Sequence, residues 1–165
     1  MENILNFLTV IALLVSYKYY KFSAISYVLM FLFLAMHVYG SKYTYADNLF
    51  GYWCKETLQL KRNPYDRMVH FAFGFLLYFP LKELFITVFK YPKNLAFYLP
   101  IVLILALAGG FEVIEWLVAD VFFKEHGESY LGTQGDIWDA QKDIALAFVG
   151  SVLAAIIFIK KSAFK

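Results

Sequence analysis

Apolar residues run through this chain in stretches too long and too unbroken for the one-sided helices of a water-soluble protein. Read with a window of about 19 residues, hydropathy predicts five membrane-crossing helices, roughly Asn3–Tyr17, Ser23–Tyr39, Arg67–Phe89, Leu95–Phe123 and Asp136–Ile159. The first is short and the fourth long. A crossing takes about 20 residues, so the five account for most of the chain. They predict an all-α, polytopic membrane helical bundle, one domain over residues 1–165. Between them, the Gly40 to Asp66 connection contains YADNLFGYW and KETLQLKRNPYDR, which predicts a short interfacial helix rich in Tyr and Trp before Pro64 restarts the chain. Lys124 to Gly135, with three glycines, reads as an ordered turn. The run Ile4–Val15 is not preceded by a basic residue and is followed by Lys18 and Lys21, which predicts an uncleaved first span rather than a signal peptide.

Composition narrows the classes. The chain is 61% hydrophobic and 21% aromatic, which fits lipid contact with interfacial Tyr and Trp belts. A net charge of +2, with no basic cluster alternating with aromatics, argues against a nucleic-acid surface. The single Cys54 rules out an intramolecular disulfide and a cysteine-rich metal site.

Charge placement changes the picture more. Five crossings put the amino terminus and the two long loops on one side. The other side receives Lys18, Lys21, Lys82, Lys90, Lys93, Lys160, Lys161 and Lys165, with Glu83 as its only acid. Counting basic residues alone, the carboxyl-terminal side is expected to be cytoplasmic and the amino terminus external. Every other acid falls on the loop-rich side. At about 1.5 Å of rise per residue, Glu112 and Glu115 reach the outer end of a hydrocarbon core about 30 Å thick. His37 ends the second helix there, Asp66 and His70 open the third, and Asp136, Asp139 and Asp143 open the fifth at i, i+3, i+7. Four helices thus carry ionisable residues to one depth.

The spacings carry chemistry. In DRMVH, Asp66 and His70 are one helical turn apart, close enough to share a metal or for the acid to orient the imidazole. In FEVIEW, Glu112 and Glu115 can face one cavity, and the preceding Gly109-Gly110 pair predicts a close helix approach. A charge in the hydrocarbon costs about 3 kcal/mol or more unless it is compensated. Arg67 and Lys142 cannot balance so many carboxylates, which leaves bound cations, shared protons or a wet pocket. A mixed His and carboxylate set suits Zn, Mn or Fe, whereas an all-oxygen subset suits Mg or Ca. The expected ligands of a divalent metal are His37, Asp66, His70, Glu115, Asp139 and Asp143, with Glu112 and Asp136 as catalytic carboxylates. Each has an ordinary reading too. Asp66 can be a helix-start acid beside a polar neighbour, and Asp136 can cap the last helix. Asp120, Glu125, His126 and Glu128 are expected in water, and Trp116 and Trp138 either in the interfacial belt or walling the pocket.

NPYDRMVHFAFGFLL, FEVIEW and above all LGTQGDIWDAQKDI resemble the YjdF-like family of bacterial inner-membrane proteins, a domain of unknown function, over about His37 to Gly150. A looser likeness, of pattern only, is to VanZ-like proteins, which pair a D-xxx-H helix with a later acidic, glutamine-containing helix start. The resemblance implies a multi-pass inner-membrane protein with these polar residues near its centre, and carries no activity with it. The residues themselves lead to the expectation of a metal-dependent membrane enzyme, a hydrolase acting on a lipid or lipid-linked substrate at the extracytoplasmic face. HExxH and Gly-x-Ser-x-Gly are absent, so neither a zincin nor a serine hydrolase is indicated. The alternatives are a cation- or proton-coupled transporter, which the apolar YLPIVLILALA segment argues against, and a non-catalytic binding or scaffold protein.

Overall fold

Each apolar run becomes a helix because hydrocarbon offers backbone N–H and C=O groups no partners except one another. The computed structural model describes residues 3–122 and 131–159. Among them are α1 (Asn3–Ser16), α2 (Ala24–Lys42), α3 (Leu49–Thr57), α4 (Tyr65–Thr87), α5 (Lys93–Phe122) and α6 (Asp139–Ile157), with no strand. Glu125, His126 and Glu128, expected in water, lie outside the described residues, as do Lys124, Lys160, Lys161 and Lys165.

Among the described residues, four helices, α2, α4, α5 and α6, are long and apolar enough to cross a membrane. The 14 residues of α1 rise only about 21 Å, yet its ends reach both ends of the bundle. Asn6 Nδ2 lies 3.5 Å from His37 Nδ1 near the end of α2, and Tyr20, just past α1, bonds Glu83 near the end of α4. About five crossings is therefore the right description. The expected interfacial helix is α3, whose Leu49, Phe50 and Trp53 are exposed.

Helix α4 is the centre, packing against α2, α5 and α6; α5 also packs against α6, and α1 leans on α2. The tightest contact is α4 with α6, which run parallel. A Cβ on Gly74 would lie 1.9 Å from Ala147 O, and one on Gly150 would lie 2.3 Å from Phe71 O. Buried Ala147, Ser151, Ala154 and Ala155 continue the seam, the small-residue packing by which helices associate where lipid removes the hydrophobic drive. The close approach expected at Gly109-Gly110 does not occur. A Cβ on Gly109 would meet only Ile144 Cδ1, at 3.9 Å, and one on Gly110 nothing within 4 Å, because the Ile144 side chain stands between α5 and α6.

At the end of the bundle away from α3, the isolated acid Glu83 is buried and fully used. Its Oε1 accepts from Tyr20 Oη at 2.8 Å and Ser23 N at 2.7 Å; its Oε2 accepts from Ser23 Oγ at 2.7 Å and from Ser26 Oγ. Ser23 also caps α2 through the Ser26 N–H, so the carboxylate sits where the α2 dipole favours an anion. Burial there, with the Glu83 carboxylate alongside, pushes the Tyr20 hydroxyl up to about 12, which keeps it a donor. Glu83→Gln keeps the volume but points an amide NH₂ at hydrogen-bond donors. It is expected to cost about 2 kcal/mol, read as a lowered melting temperature in detergent, while Tyr20→Phe costs less.

Candidate metal centre

The polar end is assembled by amide side chains in the segments that precede α3, α4 and α6. Asn48 Oδ1 caps α3 through the Gly51 N–H at 2.6 Å. Asn63 donates through Nδ2 to Asn48 O at 3.2 Å, and its Oδ1 accepts from Tyr65 N at 3.0 Å, starting α4. A Cβ on Gly51 would fall 1.8 Å from Asn63 Oδ1, so α3 can approach only as glycine. Gln134 accepts from Asn63 N at 2.9 Å and donates to Asn63 O at 3.1 Å. To do so it adopts a left-handed φ of 51° between Gly132 and Gly135, which are also left-handed. These bonds hold the starts of two parallel helices level.

Cations occupy the outer part. Arg62 forks onto both oxygens of Asp139, with Nη2 to Oδ2 at 3.2 Å, and its Nη1 donates to Thr133 O at 3.2 Å. Arg67 Nη2 lies 2.5 Å from Asp136 Oδ2 and 3.3 Å from Asp139 Oδ1. Lys142 Nζ lies 2.6 Å from the same Asp136 oxygen. Asp136 Oδ1 accepts from Trp138 N at 3.1 Å. The Lys142 ammonium and that N–H, with Arg67, hold the Asp136 carboxyl well below the usual carboxylate range. Asp136 neither caps α6 nor joins its stripe, for α6 begins at Asp139 with Trp138 as N-cap. Its side chain bonds its own turn instead, a local competitor of the helix.

Deeper in, no direct ion pair to Lys or Arg is made among the described residues, and Arg62 and Arg67 reach Asp66 and Asp143 only by longer-range attraction. His70 Nε2 lies 3.6 Å from Asp66 Oδ1 and 3.4 Å from Glu112 Oε1. Asp66, His70 and Asp143 each offer a ligand atom within 4.8 Å of the other two. Asp143 is 2% exposed, and its buried Oδ1 has no hydrogen-bond partner among the described residues. Buried polar atoms rarely go unpaired, and an anionic oxygen least of all. Ligands about 2.0–2.4 Å from one ion lie roughly 3–4 Å apart, so small side-chain adjustments would bring the three onto a shared cation. Around them, five carboxylates (Asp66, Glu112, Asp136, Asp139, Asp143) face three permanent cations (Arg62, Arg67, Lys142).

His37 and Glu115 stand apart from that trio. Both line a cleft of about 520 Å³ that Asp66 and His70 also face. His37 is buried, with Tyr45 Oη 2.6 Å from its Nδ1. The cleft lies over α4 between α2 and α5, which make no extended contact with each other among the described residues. Below its polar end the lining turns apolar, through Phe73, Leu77, Leu81 and Leu84 to Phe22. Trp116 and Trp138 are exposed and neither walls this cleft.

The profile of DUF2238, a family described as a predicted membrane protein, matches residues 1–162. The chain belongs to the DUF2238 family. It is also 32% identical to the inner membrane protein YjdF of Escherichia coli (strain K12) over 150 residues, 90% of this chain and 71% of that one. No solved structure matches it. Family, relative and helices together make this DUF2238 protein a multi-pass protein of the bacterial inner membrane.

The sequence of this DUF2238 protein does not single out Arg62 as the partner of Asp139, or Asn48 and Asn63 as braces, and it leaves open whether Gln134 binds substrate, orders the loop or satisfies backbone groups; the structure has it bracing Asn63. Arg62 sits in a loop, where hydropathy carries no information about direction. The surplus of acids was the available signal that another buried cation was needed, and it pointed to the charge without pointing to the residue.

Proposed function

We propose that the protein is a metal-dependent hydrolase of a lipid or lipid-linked ester, with its polar site at the extracytoplasmic end of the bundle. The supporting observation is the Asp143 oxygen, unpartnered among the described residues, beside His70 and Asp66 at the head of a cleft whose remaining length is apolar. Asp66, His70 and Asp143 would hold one divalent cation, which when bound would polarise a carbonyl or phosphoryl oxygen and make water a better nucleophile. Glu112, with Oε1 3.4 Å from His70 Nε2, is the nearby general base. It takes the proton of the water that attacks the ester centre and returns it to the leaving oxygen. Asp136 and Asp139, both engaged by Arg67 and one other cation each, position α6 rather than react. The side opening between α2 and α5 admits a substrate already dissolved in the bilayer. A transport route is disfavoured by the apolar lower cleft, where Phe73, Leu77, Leu81 and Leu84 offer no relay for an ion.

Purified protein titrated with Mn²⁺ or Zn²⁺ is expected to bind one ion per chain. Asp143→Asn or His70→Ala should weaken binding at least about 100-fold, whereas Asp136→Asn should change it little. Hydrolysis of a monoacyl ester lipid should follow the same ranking, with Glu112→Gln binding metal but inactive. Absence of stoichiometric metal from the wild type would defeat the proposal.

A further inference from the structure

We propose that the cleft is a ruler for one straight hydrocarbon chain of about 16 to 18 carbons, with the lipid's ester at the His70 end and the terminal methyl at Phe22 and Leu84. This deepens the hydrolase reading by naming the tail of its substrate, and rests on that reading only for which end holds the ester.

Two observations carry it. First, length: His70 and Leu84, both on α4 and both lining the cleft, are separated by about 21 Å of helix rise. An extended chain advancing about 1.3 Å per carbon covers that distance in about 16 carbons. A second tail would have to remain in the bilayer through the α2–α5 opening. Second, the floor is closed by chemistry. Phe22 meets Tyr20 and Tyr27 edge-on, with ring centroids 4.9 and 5.9 Å away. Next to it stands the network of Glu83, Tyr20, Ser23 and Ser26, whose polar groups a methyl terminus cannot displace without leaving buried donors unpaired. The polar head of the cleft and its apolar shaft make the insertion one-directional.

The test is binding of monoacyl phosphocholines of 10 to 22 carbons to the full chain in detergent after chelation of metal, read by native mass spectrometry. Chelation separates the two proposals, since the metal titration can fail while the ruler holds, and the reverse. Affinity is expected to peak at 16 to 18 carbons. Leu81→Trp, which raises the floor by about one helical turn, should move the peak about four carbons shorter, and Phe22→Ala should move it longer. Trp in place of Leu105, exposed on the outer surface of α5, should leave the peak in place and controls for folding. Binding that rises steadily with chain length, or a peak that Leu81→Trp and Phe22→Ala both leave unmoved, overturns the ruler.

Discussion

Alanine at Gly74 is expected to dismantle the site without touching a polar residue. The added methyl would lie 1.9 Å from Ala147 O, 2.8 Å from Ala147 C and 2.9 Å from Ser151 N. All three are backbone atoms of α6, so no side-chain rotation relieves the overlap. The helices must move apart by more than 1 Å, roughly the shortfall from ordinary contact, and the bundle loses its closest seam. Overpacking against rigid neighbours costs about 1–3 kcal/mol and occasionally more, and a backbone obstacle belongs at the upper end. Asp143 lies one turn before Ala147 on α6 and His70 one turn before Gly74 on α4, so the same displacement opens the metal trio. Melting in detergent and Mn²⁺ titration should therefore fail together. Gly110→Ala is the matched control, because its methyl meets nothing within 4 Å. It should be neutral or slightly stabilising, as alanine favours helix over glycine by up to about 1 kcal/mol. Equal melting of Gly74→Ala and wild type would mean that α4 and α6 are not packed as described.

The second large effect is expected at Arg62. Its side chain is 10% exposed and that of Asp139 is 7% exposed, so Arg62→Ala strands a carboxylate in a poorly solvated place with Arg67 at 3.3 Å as its remaining cation. Breaking a buried pair from one side costs about 3–5 kcal/mol. The loop bearing Gly132 and Thr133 also loses its guanidinium bonds. Arg62→Lys should recover only part of this, since one ammonium cannot reproduce a fork onto two oxygens. The pairing is decided by the double variant. Arg62→Leu with Asp139→Leu removes both charges and should melt well above Arg62→Ala alone, as buried ion pairs replaced by apolar groups commonly do. A double variant no better than the single one would show that Arg62 acts through the loop carbonyls rather than through Asp139.

These two positions mark what could and could not be read along the chain. Arg62 stands in a loop between a helix and a proline, and a one-dimensional pattern does not say which acid, 77 residues later, a long side chain will reach. Gly74 was one small residue within an apolar run. The more conspicuous pair, Gly109-Gly110, faces Ile144 and open space, because proximity depends on how two helices are rotated against each other. The DRMVH spacing, by contrast, translated directly, since i and i+4 share a helix face whatever surrounds them. The aspartate stripe translated in part. Asp139 and Asp143 lie on α6, but Asp136 falls before its first residue, held by Lys142, Arg67 and its own turn.

The sequence by itself determined that this chain is a multi-pass helical membrane protein with its acids gathered toward one end, because hydrophobic length and charge position are local properties that the bilayer reads segment by segment. Only the tertiary structure decided which acids pair with arginine and which are left facing His70. Only it opened a cleft between α2 and α5. Both depend on relative rotation and spacing of helices, set by backbone contacts at Gly74 and Gly150 and by amide bonds from Asn63 and Gln134 between loops.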